Sequence, residues 1–159
     1  MSVANQGIDI KGLVHFIGSA QKIRVPRIIG CLNAMEIFRC FNIEAAHRLP
    51  NVPPGHKCER LHGHSYRIDV HVRGSVGVDT GWVIDFADIE NAFRPVFSKL
   101  DHQYLNEVEG LSNPTSENIA QWIWGNLKAS LPGLVKIVVH ETYTSGCIYQ
   151  GQDSDELIS

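Results

Sequence analysis

Residues 64–73 alternate strictly in polarity, and this pattern limits the fold more than any other feature of the 159-residue chain. Apolar side chains occupy every second position: Tyr66, Ile68, Val70 and Val72. Charged or imidazole side chains take the positions between and after them: Arg67, Asp69, His71 and Arg73. Because successive side chains of a strand point to opposite faces, this segment predicts a strand with one buried and one wet face. Such strands are typical of antiparallel sheets.

Three further strands are indicated by the apolar pattern. The first spans about residues 36–46, and another alternates from Val135 to Tyr143. The last covers residues 146–149 after a tight turn.

Two helices are predicted between the second and third strands. Apolar residues recur at helical spacing over residues 86–100, where Pro95 is expected to kink or shorten the helix. The second helix starts after Thr115 as its N-cap, with Glu117 in the first turn. The elements follow one another as two strands, two helices and two strands. This order predicts an α+β fold, a four-stranded antiparallel sheet with two helices between strands 2 and 3. Its long edge strands are expected to be covered by oligomerisation.

Composition excludes several classes of protein. The formal net charge is -3 and the basic residues are scattered, so a nucleic-acid partner is not expected. No apolar run reaches the roughly 18 residues that cross a bilayer, and no secretory signal is evident, so we expect a cytoplasmic protein with no membrane partner. Four cysteines are too few for a secreted disulfide scaffold, which leaves room for a working thiol.

The chain divides into three parts. Residues 1–34 hold no regular period and are interpreted as an N-terminal extension, either poorly ordered or translated from a mis-assigned start with Met35 as the true initiator. A transit peptide is disfavoured because the segment contains little serine. Residues 35–151 are expected to form one folded domain, and residues 152–159 a polar tail.

Three histidines are candidates for a metal site. His62 and His64 form a His-x-His pair whose side chains share one face of an extended chain, and His47 is a candidate third ligand. Three neutral imidazoles suit zinc and leave one coordination position open, which is typical of a catalytic site. The alternative is an exposed histidine pair with His47 unrelated to it.

Cys58 lies four residues before His62 and is flanked by Lys57 and Arg60. Positive neighbours favour a thiolate, which can transfer protons to or from carbon. A fourth zinc ligand and an inert buried thiol are equally compatible with the local sequence.

Two other positions are informative. Asp101 can orient His102 as a second acid or base, although the pair is equally compatible with a simple helix end. Glu141 continues the apolar face of the third strand, where a buried carboxylate needs a hydrogen-bonding partner; an exposed strand end is the alternative. His15, His56 and His71 are expected to be solvent-exposed, and His140 has no assigned role.

Six motifs in order give the chain its resemblance to a known family: Glu44-Ala-Ala-His47-Arg-Leu-Pro, Cys58-Glu-Arg-Leu-His62-Gly-His64, Gly81-Trp-Val-Ile-Asp85-Phe, Leu100-Asp101-His102, Asn113-Pro-Thr-Ser-Glu117 and His140-Glu141-Thr. Over about residues 35–151 the chain resembles the 6-pyruvoyltetrahydropterin synthase superfamily. The similarity is strongest to the bacterial 6-carboxytetrahydropterin synthase branch, because only three residues separate Cys58 from His62 and the pyruvoyl-forming relatives typically have a longer gap.

The resemblance implies a role for each matching residue. One zinc ion per subunit is held by His47, His62 and His64, while Mg²⁺ is not indicated. The proton-transfer residues are implied to be Cys58, Asp101 and His102. Glu141 is the implied pterin anchor, and the implied pocket lining is Thr115, Ser116 and Glu117. The implied assembly is the tunnelling fold, in which two barrel-forming trimers stack as a homo-hexamer.

The implied reaction converts 7,8-dihydroneopterin triphosphate to 6-carboxy-5,6,7,8-tetrahydropterin, with release of triphosphate and acetaldehyde, on the route to queuosine. The ring is reduced at the expense of its side chain, so no nicotinamide cofactor is required. Two alternatives stay open: a synthase that forms 6-pyruvoyltetrahydropterin, and a non-catalytic module whose zinc shell Cys58 completes. The sequence does not identify the residues that receive the triphosphate.

Overall fold

The core of the protein lies between one face of an antiparallel sheet and two helices. The computed structural model describes residues 34–151. The sheet has the order β1-β2-β3-β4, and α1 and α2 lie between β2 and β3 in sequence. The elements are β1 Ala34–His47, β2 His62–Ser75, α1 Phe86–Leu100, α2 Ser116–Leu127, β3 Leu134–His140 and β4 Gly146–Tyr149. The predicted α+β fold is confirmed, whereas the predicted extension up to residue 33 and the tail at 152–159 lie outside the described residues.

The buried face of β2 is the one that its alternation predicts. Tyr66, Ile68, Val70 and Val72 are at most 2% exposed, and the helices supply the opposing layer with Ile89, Phe93, Val96 and Leu100 of α1 and Ile119, Ala120, Ile123 and Leu127 of α2. Burial of one such aliphatic or aromatic side chain is worth about 1.5–3 kcal/mol. In the described part of the chain, no helix is both long and apolar enough to span a membrane.

One predicted element boundary is wrong and another is as the apolar spacing predicts. Helix α1 spans the predicted residues up to Leu100 and is not shortened by Pro95, because Pro95 lies on the exposed side of the helix, where water can satisfy the unpaired carbonyl. Strand β3 ends at His140, not at Tyr143. There the backbone N–H groups of Glu141 and Thr142 both donate to Ser145 O and turn the chain back into β4.

Among residues 34–151, no helix covers the other face of the sheet, and this helix-free face is not uniformly exposed to water. Asp69 is only 6% exposed because Arg67 and His140 surround its carboxylate. The predicted exposure of His71 is wrong, since its Nδ1 lies 2.9 Å from Glu36 Oε1 and its ring stacks on Phe38. His56 is exposed as predicted, and His15 lies outside the described residues.

Candidate metal centre and catalytic cleft

Strand pairing brings the three predicted histidines together. In the register of β1 with β2, His47 is opposite His62 and Ala45 is opposite His64. Since His62 and His64 are two residues apart on one strand, their side chains project to the same face as Tyr66 and the core. The imidazoles therefore meet at the end of the helix-covered face of the sheet.

The three rings form a close cluster. His47 Nε2 lies 3.0 Å from His62 Nε2, and the ring centroids of the three pairs are 4.5, 5.1 and 5.0 Å apart. Glu141 adds a carboxylate oxygen, and the candidate ligand atoms of all four residues lie within 4.8 Å of one another. His47 is fully buried. This group can hold a metal ion.

The hydrogen bonds of the rings fit that use. His47 Nδ1 donates to Pro114 O at 2.8 Å and His62 Nδ1 donates to Arg60 O at 2.7 Å, because a carbonyl oxygen can only accept. Each ring therefore turns a bare Nε2 toward the cluster, the arrangement in which metal-binding histidines are usually held. His64 Nε2 is buried without a hydrogen-bond partner, although Glu141 Oε1 is 3.2 Å away. A metal ion would satisfy this atom.

Burial also sets the charge of the cluster. It lowers the pKa of His47, against the opposing effect of the Pro114 carbonyl, and it lowers the pKa of His64. A lowered pKa keeps both imidazoles neutral near pH 7. The neutral ring is the form that binds a metal.

Two groups at the cluster were missed from the sequence. Tyr66 was interpreted only as a core residue, but its hydroxyl lies 3.1 Å from His47 Nδ1. Its position two residues after His64, on the same strand face, was the available signal. Burial raises the pKa of Tyr66, which keeps the hydroxyl protonated. The Pro114 carbonyl gave no signal, because a backbone contact 67 residues away in sequence leaves no trace in side-chain pattern.

The segment that starts α2 approaches Glu141. Thr115 is the N-cap as predicted, accepting from Asn118 N at 3.3 Å. Ser116 is buried and donates its hydroxyl to Glu141 Oε2 at 2.5 Å. Glu117 is exposed. Ser116 and Glu141 thus form one unit beside the histidines, and Glu117 stands apart from it.

Asp101 and His102 form a hydrogen-bonded pair at the end of α1. His102 Nδ1 lies 2.8 Å from Asp101 Oδ2, while Asp101 Oδ1 accepts from Glu44 N at 3.0 Å. His102 has a φ of 57°, and its backbone N–H donates to Glu44 O at 2.6 Å. Burial raises the pKa of Asp101, but the Glu44 donor and His102 outweigh this effect and the net pKa is lowered. Asp101 is therefore an ionised residue that orients the imidazole.

An open cleft of about 520 Å³ lies beside the histidine cluster. It is lined by His64 and His102 together with Glu44 and Ser65. Cys58 is half-buried in a single-turn 3-10 helix, Lys57–Glu59, and is not in the group of candidate metal ligands. Within residues 34–151, no hydrogen bond joins the Cys58 thiol to Asp101, His102 or the histidines. The structure groups the histidines with Glu141 and pairs Asp101 with His102.

Known proteins share both the sequence and the fold. The family described as 6-pyruvoyl tetrahydropterin synthase matches residues 36–152. A 6-carboxy-5,6,7,8-tetrahydropterin synthase from Synechocystis is 45% identical over 119 residues, which cover 71% of this chain and 91% of that protein. The enzyme of the same name from Bacillus subtilis is 33% identical, with 74% and 86% covered.

A solved structure of Caenorhabditis elegans 6-pyruvoyl tetrahydropterin synthase superimposes with a TM-score of 0.70 at 29% identity, covering 75% of this chain and 96% of that one. The predicted tunnelling fold is confirmed by this match. The expectation that the chain is an enzyme, a lyase of the synthase type, is also confirmed by its relatives. On the match over residues 36–152 and these identities, the chain belongs to the 6-pyruvoyl tetrahydropterin synthase family.

Proposed function

We propose that this protein is a zinc-dependent lyase that converts 7,8-dihydroneopterin triphosphate to 6-carboxy-5,6,7,8-tetrahydropterin, releasing triphosphate and acetaldehyde for queuosine synthesis. The observation that carries the proposal is the convergence of three imidazoles whose free nitrogens face one point, in a chain 45% identical to a synthase of that name. A zinc-binding module with a purely structural role would not require the open cleft beside the histidine cluster.

Zinc is the proposed metal, with His47, His62 and His64 as its ligands. The all-nitrogen donor set and the two carbonyl-held Nδ1 atoms support this choice, since imidazole is a preferred zinc ligand and oxygen-rich sites suit Mg²⁺. When bound, the metal supplies Lewis-acid chemistry, which lowers the pKa of a hydroxyl of the substrate side chain. Three protein ligands leave the position that this hydroxyl requires.

The remaining residues bind the ring and move protons. Glu141, held by Ser116, is the proposed acceptor for the pterin N–H groups. Thr115 and Glu117, which flank Ser116 in sequence, are proposed to line the pocket. His102 lines the cleft and its Nδ1 is hydrogen-bonded to Asp101, so it is the proposed acid or base on that side. Cys58 is the proposed second proton carrier. The catalytic domain is proposed to be residues 35–151.

A second candidate is the synthase that forms 6-pyruvoyltetrahydropterin. The TM-score of 0.70 to a structure bearing that name favours it as the rival, since both reactions use the same fold. The three-residue gap between Cys58 and His62 and the similarity to two carboxy-forming relatives favour the leading proposal.

The two candidates differ in product, so one assay separates them. Purified zinc-loaded protein is incubated with 7,8-dihydroneopterin triphosphate, and products are measured by mass spectrometry beside an acetaldehyde assay. Acetaldehyde with the 6-carboxy product is the expected result. A pyruvoyl product would support the rival reaction instead. Absence of turnover would support the non-catalytic zinc-binding module.

Assembly as a cytoplasmic homo-hexamer, a dimer of trimers, is part of the proposal. Strand β1 is a 14-residue edge, and the helix-free face carries exposed Phe38 and Ile148. Long edges and exposed apolar side chains support association with further copies.

A further inference from the structure

The connection between β1 and β2 carries three cations beside the histidine cluster. Arg48 follows His47, while Lys57 and Arg60 flank Cys58. We propose that Arg48, Lys57 and Arg60 form the polyphosphate subsite, which receives the triphosphate of the substrate. This inference rests on the proposed function, because it assigns the part of that substrate that the ring-binding residues leave unbound.

Within the described part of the chain, the side chains of these three cations are unpaired. Every other Lys and Arg among residues 34–151 contacts an acid, an amide or an aromatic ring. Carboxylates hold Arg39, Arg67, Arg73 and Lys136, Asn91 binds Arg94, and indole rings lie beneath Lys99 and Lys128. For Arg48, Lys57 and Arg60, the described residues supply no such side-chain partner, and all three are exposed.

The acidic residue in the connection between β1 and β2 does not neutralise the three cations. Glu59 is the acidic residue between His47 and His62, and its Oε2 accepts from Gly55 N at 3.1 Å. The carboxylate is thus committed to the backbone of its own loop. With three cations and one acid, residues 48–61 have a formal charge of +2. The whole chain has a net charge of -3, so the connection between β1 and β2 is a local concentration of positive charge.

The backbone of the connection is held in place. Arg48 N donates to Asn106 Oδ1 and Arg48 O accepts from Asn106 Nδ2, both at 2.9 Å. Leu49 N donates to Cys58 O at 2.8 Å and draws the two ends of the loop together. Because the cations start from a fixed backbone, less freedom is lost when they bind an anion.

One of these residues is joined directly to the metal cluster. Arg60 O accepts from His62 Nδ1 at 2.7 Å, so the residue that carries this guanidinium also orients a proposed zinc ligand. The connection also begins and ends at two histidines of the cluster, His47 and His62, so a substrate with its side-chain hydroxyls at the cluster would have its phosphates next to this loop. Guanidinium groups bind phosphate oxygens by paired, charge-assisted hydrogen bonds.

Inorganic triphosphate is the probe that tests the subsite without turnover. Its binding to the zinc-loaded full chain is measured by calorimetry, with metal content assayed afterward, for R48Q, K57Q, R60Q and the triple variant. Each single change is expected to weaken binding by about five- to tenfold, and the triple change by roughly 100-fold or more. The matched control R94Q removes an exposed cation on α1 and is expected to stay within about twofold.

Two further measurements distinguish a loss of positive charge from a loss of folded structure. R48K and R60K keep the charge but lose the paired hydrogen bonds, so they are expected to bind more weakly than the wild type but to within about threefold of it. Binding of 7,8-dihydroneopterin, which has no phosphate, should be unchanged in every variant. A triple variant that binds triphosphate like the wild type, or a wild type that does not bind it, would overturn the subsite.

The outcome for the subsite is independent of the outcome for the reaction. Wild-type turnover with normal triphosphate binding by the triple variant would remove the subsite and leave the proposed function intact. Cation-dependent binding of triphosphate by a protein that forms no pterin product would establish the subsite and refute the proposed reaction.

Discussion

Strand β2 has polar groups on both faces, but the two faces hold them in different ways. On the helix-free face, Glu36 accepts from Lys136 at 2.6 Å and from Arg73 at 2.7 Å, and Asp69 accepts from Arg67 at 2.9 Å. On the core face, the nitrogen atoms of three histidines converge instead. His64 Nε2 is buried there without a hydrogen bond.

This difference distinguishes polar side chains that stabilise the fold from polar side chains that bind a ligand. A buried carboxylate surrounded by donors is stabilised within its own chain and requires nothing from outside. A buried ring nitrogen without a partner costs free energy unless a ligand arrives, so its presence marks a binding site. Histidines on the two faces should therefore respond differently to substitution.

The largest contrast is expected between two histidines. His62→Ala should abolish stoichiometric zinc, with a loss of at least about 100-fold in metal affinity and about three orders of magnitude in turnover, because it removes a ligand. Metal content by mass spectrometry and product formation measure the two effects. His71→Ala on the helix-free face is the control and should keep its zinc. A His62→Ala protein with one zinc per chain would refute the ligand assignment.

Cysteines allow a similar comparison. Cys58→Ala is expected to keep its zinc and lose roughly 100-fold or more in kcat, since the thiol lies outside the candidate ligand group but is a proposed proton carrier. Cys40→Ala on the helix-free face should retain activity. Loss of zinc from Cys58→Ala would instead make the thiol a ligand and revive the closed site of a binding module.

For Glu141, the expected effect falls on substrate binding. Glu141→Gln removes a charged acceptor while preserving shape, so KM for the pterin should rise by about 10- to 100-fold with zinc retained. Glu109→Gln, an exposed substitution outside the cleft, is the control. An unchanged KM would exclude the anchor role, and loss of zinc would show that Glu141 belongs to the metal shell.

The features that the sequence predicted correctly depend on local residue patterns. The features that it missed depend on backbone contacts between segments distant in sequence. Alternation in β2 and the cap at Thr115 are local, so both are as predicted. The end of β3 at His140 depends on a turn that has no strong signature, and its prediction failed. At the site, the histidines could be listed as candidates, but their convergence required the register of β1 with β2. Pro114 acts through its carbonyl and could not be found from side-chain pattern.

The smallest expected effect concerns the stability of the helix-free face. Hydrogen bonds from Lys136 and then Arg73 lower the pKa of Glu36 to about 2. Above its ordinary value of 4.5 the carboxylate is ionised in both the folded and unfolded chain, and the folded form gains the ion pairs. As the pH falls from 4.5 toward 2, the unfolded chain binds a proton first and this stabilisation is lost.

Glu36→Gln is therefore expected to lower the free energy of unfolding by about 1 kcal/mol at pH 7, after allowance for solvent screening of a partly exposed side chain. Urea midpoints at equal protein concentration measure the effect, and the difference from wild type should shrink as the pH is lowered below 4.5. The exposed Glu107→Gln is the control and should change little at either pH. A Glu36 effect that is constant with pH would show that packing, not charge pairing, gives this face its stability, and the contrast between the two faces of β2 would then rest on the histidine cluster alone.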